Sequence, residues 1–166
     1  NLAEAQGNAS FTGATYQIIN NSGERINWKG VWYDAGAPLI TVSTVYDTVA
    51  KVYSAQIDNL PYGTYTVKQT KTPEGYRNSN GQQDVVINES KVYNITKTQI
   101  VTKGGVSITK ADADLGESKP QGDATLAGVE YEIVNRSTHG VFSPADGVAG
   151  RTVAPGEVVM KITTYT

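Results

Sequence analysis

The chain of 166 residues has no cysteine, one histidine, one methionine and two phenylalanines. Without cysteine there is no disulfide, no thiolate nucleophile and no Cys/His zinc cage. The lone His139 lies in the loop THGVFSPADG with no second ligand type clustered beside it, so it makes no metal site. No Ser/His/Asp set or Cys/His pair is visible, and the expectation is a chain that is not an enzyme, with no cofactor and no metal. A basic run is missing too. Lys and Arg number 14 against 16 Asp and Glu, the net charge is −2, and the signs are interspersed. Nucleic acid and anionic membrane are therefore poor partners. No apolar run approaches the roughly 20 residues that cross a bilayer, so no membrane insertion is expected in this segment. No charged-then-apolar signal segment opens the chain at Asn1-Leu2-Ala3-Glu4.

Thr, Val and Ile are plentiful, with 17 Gly and 10 Tyr, a composition of strands joined by tight turns. Residues 6–22 (QGNASFTGATYQIINNS) match residues 121–137 (QGDATLAGVEYEIVNRS) at Gln, Gly, Ala, Gly, Tyr, Ile, Asn and Ser. The match resumes between GVWYDAGAPLITVST (30–44) and GRTVAPGEVVMKITT (150–164), with the offset grown from 115 to 120. A loop that absorbs an insertion while its flanking strands hold register marks a repeated module. The expected boundary lies near Lys103-Gly104-Gly105, with a first module over 1–103 and the beginning of a second over 104–166. Neither is complete by the measure of the other: 104–120 has little counterpart in the first copy, and the first copy runs some 60 residues beyond the match. This is the expectation for a piece of a longer array.

Period-2 alternation gives the strands. Ala14, Tyr16 and Ile18 share a face, as do Val129, Tyr131 and Ile133. Tyr65 and Val67 share one after the turn Leu60-Pro61-Tyr62-Gly63, and Val106 and Ile108 share one in GVSITK. Further strands are expected at 39–43, 50–57, 84–88, 92–96 and 98–102, and no segment has a helical period. The fold class is all-β, an antiparallel β-sandwich.

Three stretches carry a resemblance: GGVSITKADADLG (104–116); LAGVEYEIVN (126–135) with its echo FTGATYQIIN (11–20); and LPYGTYTVKQTKTPEGY (60–76). Together they resemble the collagen-adhesin B-type (CnaB) module of Gram-positive surface proteins, also called the SpaA-like or prealbumin-like pilin domain. The resemblance implies Ig-like or prealbumin-like sandwiches in tandem, the first lacking its opening strand. It also implies an extracellular, cell-wall-anchored location and a stalk role in an adhesin or pilus, with neighbouring modules as partners. A second role, recognition of a host glycan or matrix protein through variable loops, stays open beside it.

Many such domains form an intramolecular isopeptide bond between a first-strand Lys and a last-strand Asn, assisted by a buried Glu in the so-called E-box. By resemblance Lys110 is the isopeptide candidate, Gln69 occupies the E-box position and Gln99 the acceptor position. Burial lowers a lysine pKa and frees the amine as nucleophile, while a protonated carboxyl polarises the amide. Alternation places Lys110 on the face of Val106 and Ile108; the alternative is a strand-end amine reaching solvent on its long stem. Its partners are expected beyond Thr166. Gln69 is an amide where the acid is needed, so the first module is expected to lack the bond, with Gln69 and Gln99 hydrogen-bonded instead.

Other residues read as ordinary. Glu74 is a solvated turn residue. Asp112 and Asp114 have calcium-loop spacing, but Glu117 and Asp123 stand where that loop needs Gly and Glu, so a solvated face is expected. Five Asn-x-Ser/Thr triplets (Asn8, Asn20, Asn88, Asn94, Asn135) suit the composition without implying modification. Trp28, Trp32 and Tyr33 flank a turn at Gly30 and are expected in the core rather than as a binding platform.

Overall fold

The computed structural model describes residues 5–78, 81–143 and 150–165, and among these every regular element is a β-strand paired antiparallel. The described residues form two compact units, one of residue 5 and those within 9–102, the other of residues 6–8 and those within 103–165. The first unit contains β1 (Thr15–Asn20), β2 (Ile26–Trp28), β3 (Val31–Tyr33), β4 (Pro38–Ser43), β5 (Val45–Asp47), β6 (Val52–Ser54), β7 (Gly63–Lys71), β8 (Tyr76–Asn78), β9 (Gln82–Ile87) and β10 (Gln99–Val101). The second contains β11 (Glu130–Val134), β12 (Val141–Ser143), β13 (Arg151–Val153) and β14 (Val158–Thr163).

The first unit is built on a sheet ordered β4-β1-β7-β9. Its registers set Ile18 opposite Ile40 and Val67, and Tyr65 opposite Val85. Because side chains alternate faces, these residues fall on one side of the sheet. Ile26, Trp28 and Leu39 close over that side with Ile18 and Tyr65. Tyr65 is fully buried, and its hydroxyl donates to the carbonyl of Pro61 at 2.8 Å, fastening the turn that feeds β7.

The hairpin β2–β3 resolves the aromatic cluster. Lys29 and Gly30 both have positive φ, the two-residue turn whose twist matches its strands. Trp28 therefore points inward at 5% exposure and donates its indole N–H to the carbonyl of Asp58. Trp32 points outward at 59%, with Arg25 stacked over its ring. The cluster is thus divided by alternation rather than buried whole.

The end of β1 is held by Asn20, which is fully buried. Its Nδ2 donates to the carbonyls of Glu24, Tyr33 and Asp34, while its Oδ1 accepts from the N–H of Ser22. Its own N–H donates to Ala37, and its carbonyl accepts from Gly36, whose φ of 82° suits glycine. The second unit repeats this around Asn135. Nδ2 donates to His139 and Val153, Oδ1 accepts from the N–H of Ser137, and Asn135 pairs with Glu157 and Gly156 as Asn20 does with Ala37 and Gly36. β1–β4 and β11–β14 carry a register shift at the same place, Ile18/Ile19 and Ile133/Val134. The five added residues fall between the two clasped ends, where β12–β13 replaces β2–β3.

Several expectations are corrected. Segment 104–110 is not a strand: no ladder forms there, Val106 is 75% exposed, and Lys110 is half-buried rather than directed into a core. Segment 92–96 forms no strand, and 50–57 shrinks to β6, paired with β5. Apolar alternation fixes which way side chains face, but a strand also needs a neighbour to receive its backbone hydrogen bonds. Residues 6–8 join the second unit: Gly7 exchanges backbone bonds with His139 and Gly140, and the Oδ1 of Asn8 accepts from the N–H of Thr138.

Replacing Asn20 with Ala removes the side-chain donor to the carbonyls of Glu24, Tyr33 and Asp34 and the acceptor of the Ser22 N–H. The expected cost is about 2–4 kcal/mol in chemical denaturation. Asn21→Ala, which removes only an exposed bond to Asp84, is expected to stay within about 0.5 kcal/mol.

Candidate functional site

The residues singled out on β7 and β10 meet. On β7, Tyr65, Val67 and Gln69 alternate inward, and Gln69 is 7% exposed. β8 pairs with β10 and sets Gln99 opposite Asn78. The two glutamines form a reciprocal amide pair, Gln69 Nε2 to Gln99 Oε1 at 3.3 Å and Gln99 Nε2 to Gln69 Oε1 at 3.2 Å. The second hydrogen of Gln69 Nε2 reaches the carbonyl of Lys71. Two amides satisfying each other can lock β7 to β10, but neither can act as a general acid near neutral pH.

Lys110 lies in the second unit, where its carbonyl accepts from the hydroxyl of Ser118. The neighbouring acidic stretch is a turn. The Oδ1 of Asp112 accepts from the N–H groups of Asp114 and Leu115 and from Gln121, and these bonds hold its pKa below the usual carboxylate value, Gln121 contributing most. No group of three or more metal-ligating side chains occurs among the described residues. The His139 ring sits against Gly7 and Thr138, and Glu74 is exposed. Asn20 and Asn135, two of the triplet asparagines, are buried structural groups.

Lys97 was not singled out by sequence reasoning, although Tyr93, Ile95, Lys97, Gln99 and Val101 alternate inward along one face. Its Nζ is shielded from solvent and has no hydrogen-bond partner among the described residues. Burial holds its pKa below the ordinary lysine value. Lys97 lines a cavity of about 750 Å³ in the first unit, bounded by Tyr16, Ile18, Val67 and Val85 of the sheet and by the segments at 53–60 and 89–97. The repeated Asn of the two copies was a visible signal for the clasp, whereas the cavity depends on which segments fail to pair.

Gln69→Leu strands the Gln99 amide, and we expect a loss of about 1–3 kcal/mol. Gln69→Leu with Gln99→Leu is expected to recover part of it, and a double-mutant cycle reads the difference as coupling. Lys97 gives a pH signature. The folded chain holds its proton less tightly than the unfolded chain, so stability rises as pH climbs through the lowered value toward 10.5. Lys97→Met is expected to raise neutral-pH stability by roughly 1 kcal/mol and to remove that rise from a stability profile against pH.

Comparison with curated proteins and with solved structures gives no match. A family model, the SpaA prealbumin-like fold domain, matches residues 3–100, which is more than half the chain and includes the β4-β1-β7-β9 sheet and the glutamine pair. The chain belongs to the SpaA prealbumin-like fold domain family.

Proposed function

We propose that this chain is a load-bearing stalk segment of a cell-wall-anchored adhesin or pilus of a Gram-positive surface, working through neighbouring modules of the same protein. The observation that carries the reading is its membership of a family of structural pilin-type domains, which associate with neighbouring modules. The Asn clasp, repeated in both units, supports it: each clasp ties a strand end to a loop by four or more hydrogen bonds without a disulfide. Under this reading 1–103 is one module, closed noncovalently where Gln69 replaces the acid, and 104–166 begins another.

The reading extends to Lys110 as the isopeptide donor of that second module. Its amine would attack the side-chain amide carbon of an Asn further along the protein, forming the new C–N bond and releasing ammonia. Such a reaction runs once, within one molecule, and is not enzyme turnover. A second reading, a ligand-binding adhesin, is favoured by one feature, the exposed Trp32 beneath Arg25. Aromatic faces of this kind accept sugar rings or peptide side chains.

Antibodies against this chain are expected to label intact cells of the source organism and to follow the cell-wall fraction; label confined to the cytoplasm would contradict the surface role. In a longer polypeptide that completes the second module, denaturing mass spectrometry is expected to find one ammonia missing, restored by Lys110→Ala. A full mass would remove Lys110 from the account. Glycan-array binding lost in Trp32→Ala would favour the adhesin reading.

A further inference from the structure

The two copies of the module differ at one backbone edge, covered in the second unit and open among the described residues of the first. In the second unit the edge is 138–142, running from the Asn135 clasp into β12, and residues 6–8 (Gln-Gly-Asn) fold onto it as a turn. Gly7 donates its N–H to the carbonyl of Gly140 at 3.1 Å, and its carbonyl accepts from the N–H of His139 at 3.0 Å. The Oδ1 of Asn8 accepts from the N–H of Thr138 at 2.9 Å, and the Oε1 of Gln6 accepts from the N–H of Phe142 at 3.0 Å. All four bonds end on backbone groups of the edge, so they do not depend on its side chains. The Thr138 hydroxyl and the His139 ring add contacts to the Gly7 carbonyl.

The first unit presents the same edge at 23–27, running from the Asn20 clasp into β2. The repeat offset of 115 sets Gly23 against Thr138, Glu24 against His139, Arg25 against Gly140 and Asn27 against Phe142. These four residues of the first unit are exposed. The N–H groups of Gly23 and Glu24 and the carbonyl of Arg25 take no partner among the described residues. The two-residue turn makes Trp28 and Val31 the hydrogen-bonded pair, so Asn27, opposite Trp32, aims its N–H away from the hairpin. A turn that matches is present as well. The repeat of Gln6-Gly7-Asn8 is Gln121-Gly122-Asp123, and it has the same conformation: Gly7 has φ 61° and Gly122 φ 56°, both left-handed. Yet 121–123 is exposed throughout. Gln121 donates to Asp112 through Nε2, and its carbonyl accepts from Ala124. The Oε1 of Gln121, the N–H and carbonyl of Gly122 and the Asp123 carboxylate take no partner among the described residues.

We infer that the turn 121–123 of one copy docks on the 23–27 edge of a second copy, reproducing the contact that 6–8 makes in the second unit. Gly122 exchanges backbone bonds with Arg25 and Glu24, the Asp123 carboxylate accepts from Gly23, and the Gln121 Oε1 accepts from Asn27. The inference rests on the reading of the chain as a module that works through its neighbours, and it names the surface by which one copy follows the next. Turn and edge lie in different units, so the contact is heterologous and joins copies head to tail. Gly23 and Glu24 lack the hydroxyl and the imidazole of Thr138 and His139, which leaves the four bonds alone. So small a contact holds separate copies weakly. It suits modules strung on one polypeptide, where linkage raises the effective concentration to roughly millimolar.

Amide NMR of the full chain tests this, with concentration raised a hundredfold to about one millimolar, the level that linkage supplies. The signals of Gly23, Glu24, Asn27 and Gly122 are expected to shift together along one binding curve. Those of Thr138, His139 and Phe142, already covered by 6–8, are expected to stay in place. Asp123→Ala removes an exposed carboxylate and is expected to weaken the binding curve severalfold. Gly122→Val is expected to abolish the shifts, because a β-branched residue resists positive φ. A Cβ at Gly122 meets nothing within 4 Å, so the signals of the Asn20 and Asn135 clasps are expected to be unchanged in that variant. Constant signals at 23–27 over the whole range overturn the inference, and so do shifts that Gly122→Val leaves intact. Antibody labelling of cells reads the stalk role separately. Label at the wall with constant signals overturns the docking contact alone, whereas label in the cytoplasm with moving signals overturns the stalk role and keeps the contact.

Discussion

Each unit depends on one buried side-chain amide. A strand that ends inside a protein leaves backbone groups that must find partners away from water. At the end of β1 that burden falls on Asn20, and at the end of β11 on Asn135. A single carboxamide is suited to the task because it presents donors and an acceptor in one plane. The loop closed by the amide can change length freely, since its two ends are clasped whatever lies between. Three-residue hairpin strands occupy that interval in both units, with five more residues in the second. The clasp therefore explains both the stability of the strand ends and the tolerance of the loop.

Polar groups also determine where the first unit is closed and where it is open. The Gln69–Gln99 pair joins β7 to β10 with both amides satisfied, at the place where family resemblance implies an acid and an acceptor. Two residues earlier the same face presents Lys97, whose Nζ is shielded beside a cavity and has no hydrogen-bond partner among the described residues. A satisfied pair can be nearly neutral in energy, whereas a lone buried amine is a cost that folding tolerates only if something offsets it. The contrast separates a finished contact from an unfinished one.

Much of this was legible in the sequence. Alternation placed Ala14 and Ile18 in the core and set Gln69 on the inward face of Tyr65 and Val67. The Gln99 partner came from resemblance and spacing, and the structure joins the two amides. Pattern failed where pairing decides. Residues 92–96 and 106–110 read as strands because their alternation is strong, but no neighbour among the described residues receives their backbone. Trp28 and Trp32 read as one cluster, and only the turn at Lys29-Gly30 assigns them to opposite sides. Lys97 falls between the strands expected at 92–96 and 98–102, so the alternation assigned it no face.

The account rests on the clasp as a rigid, buried bond network present in both units, and hydrogen exchange followed by NMR tests it most directly. The amide hydrogens of Asn20, Ser22 and Gly36, and of Asn135, Ser137 and Gly156, are expected to be protected far above exposed loop amides such as Lys29 and Gly105. Exchange of either set at the rate of those open loops would contradict the account, because the strand ends would then be held by something other than their buried asparagines.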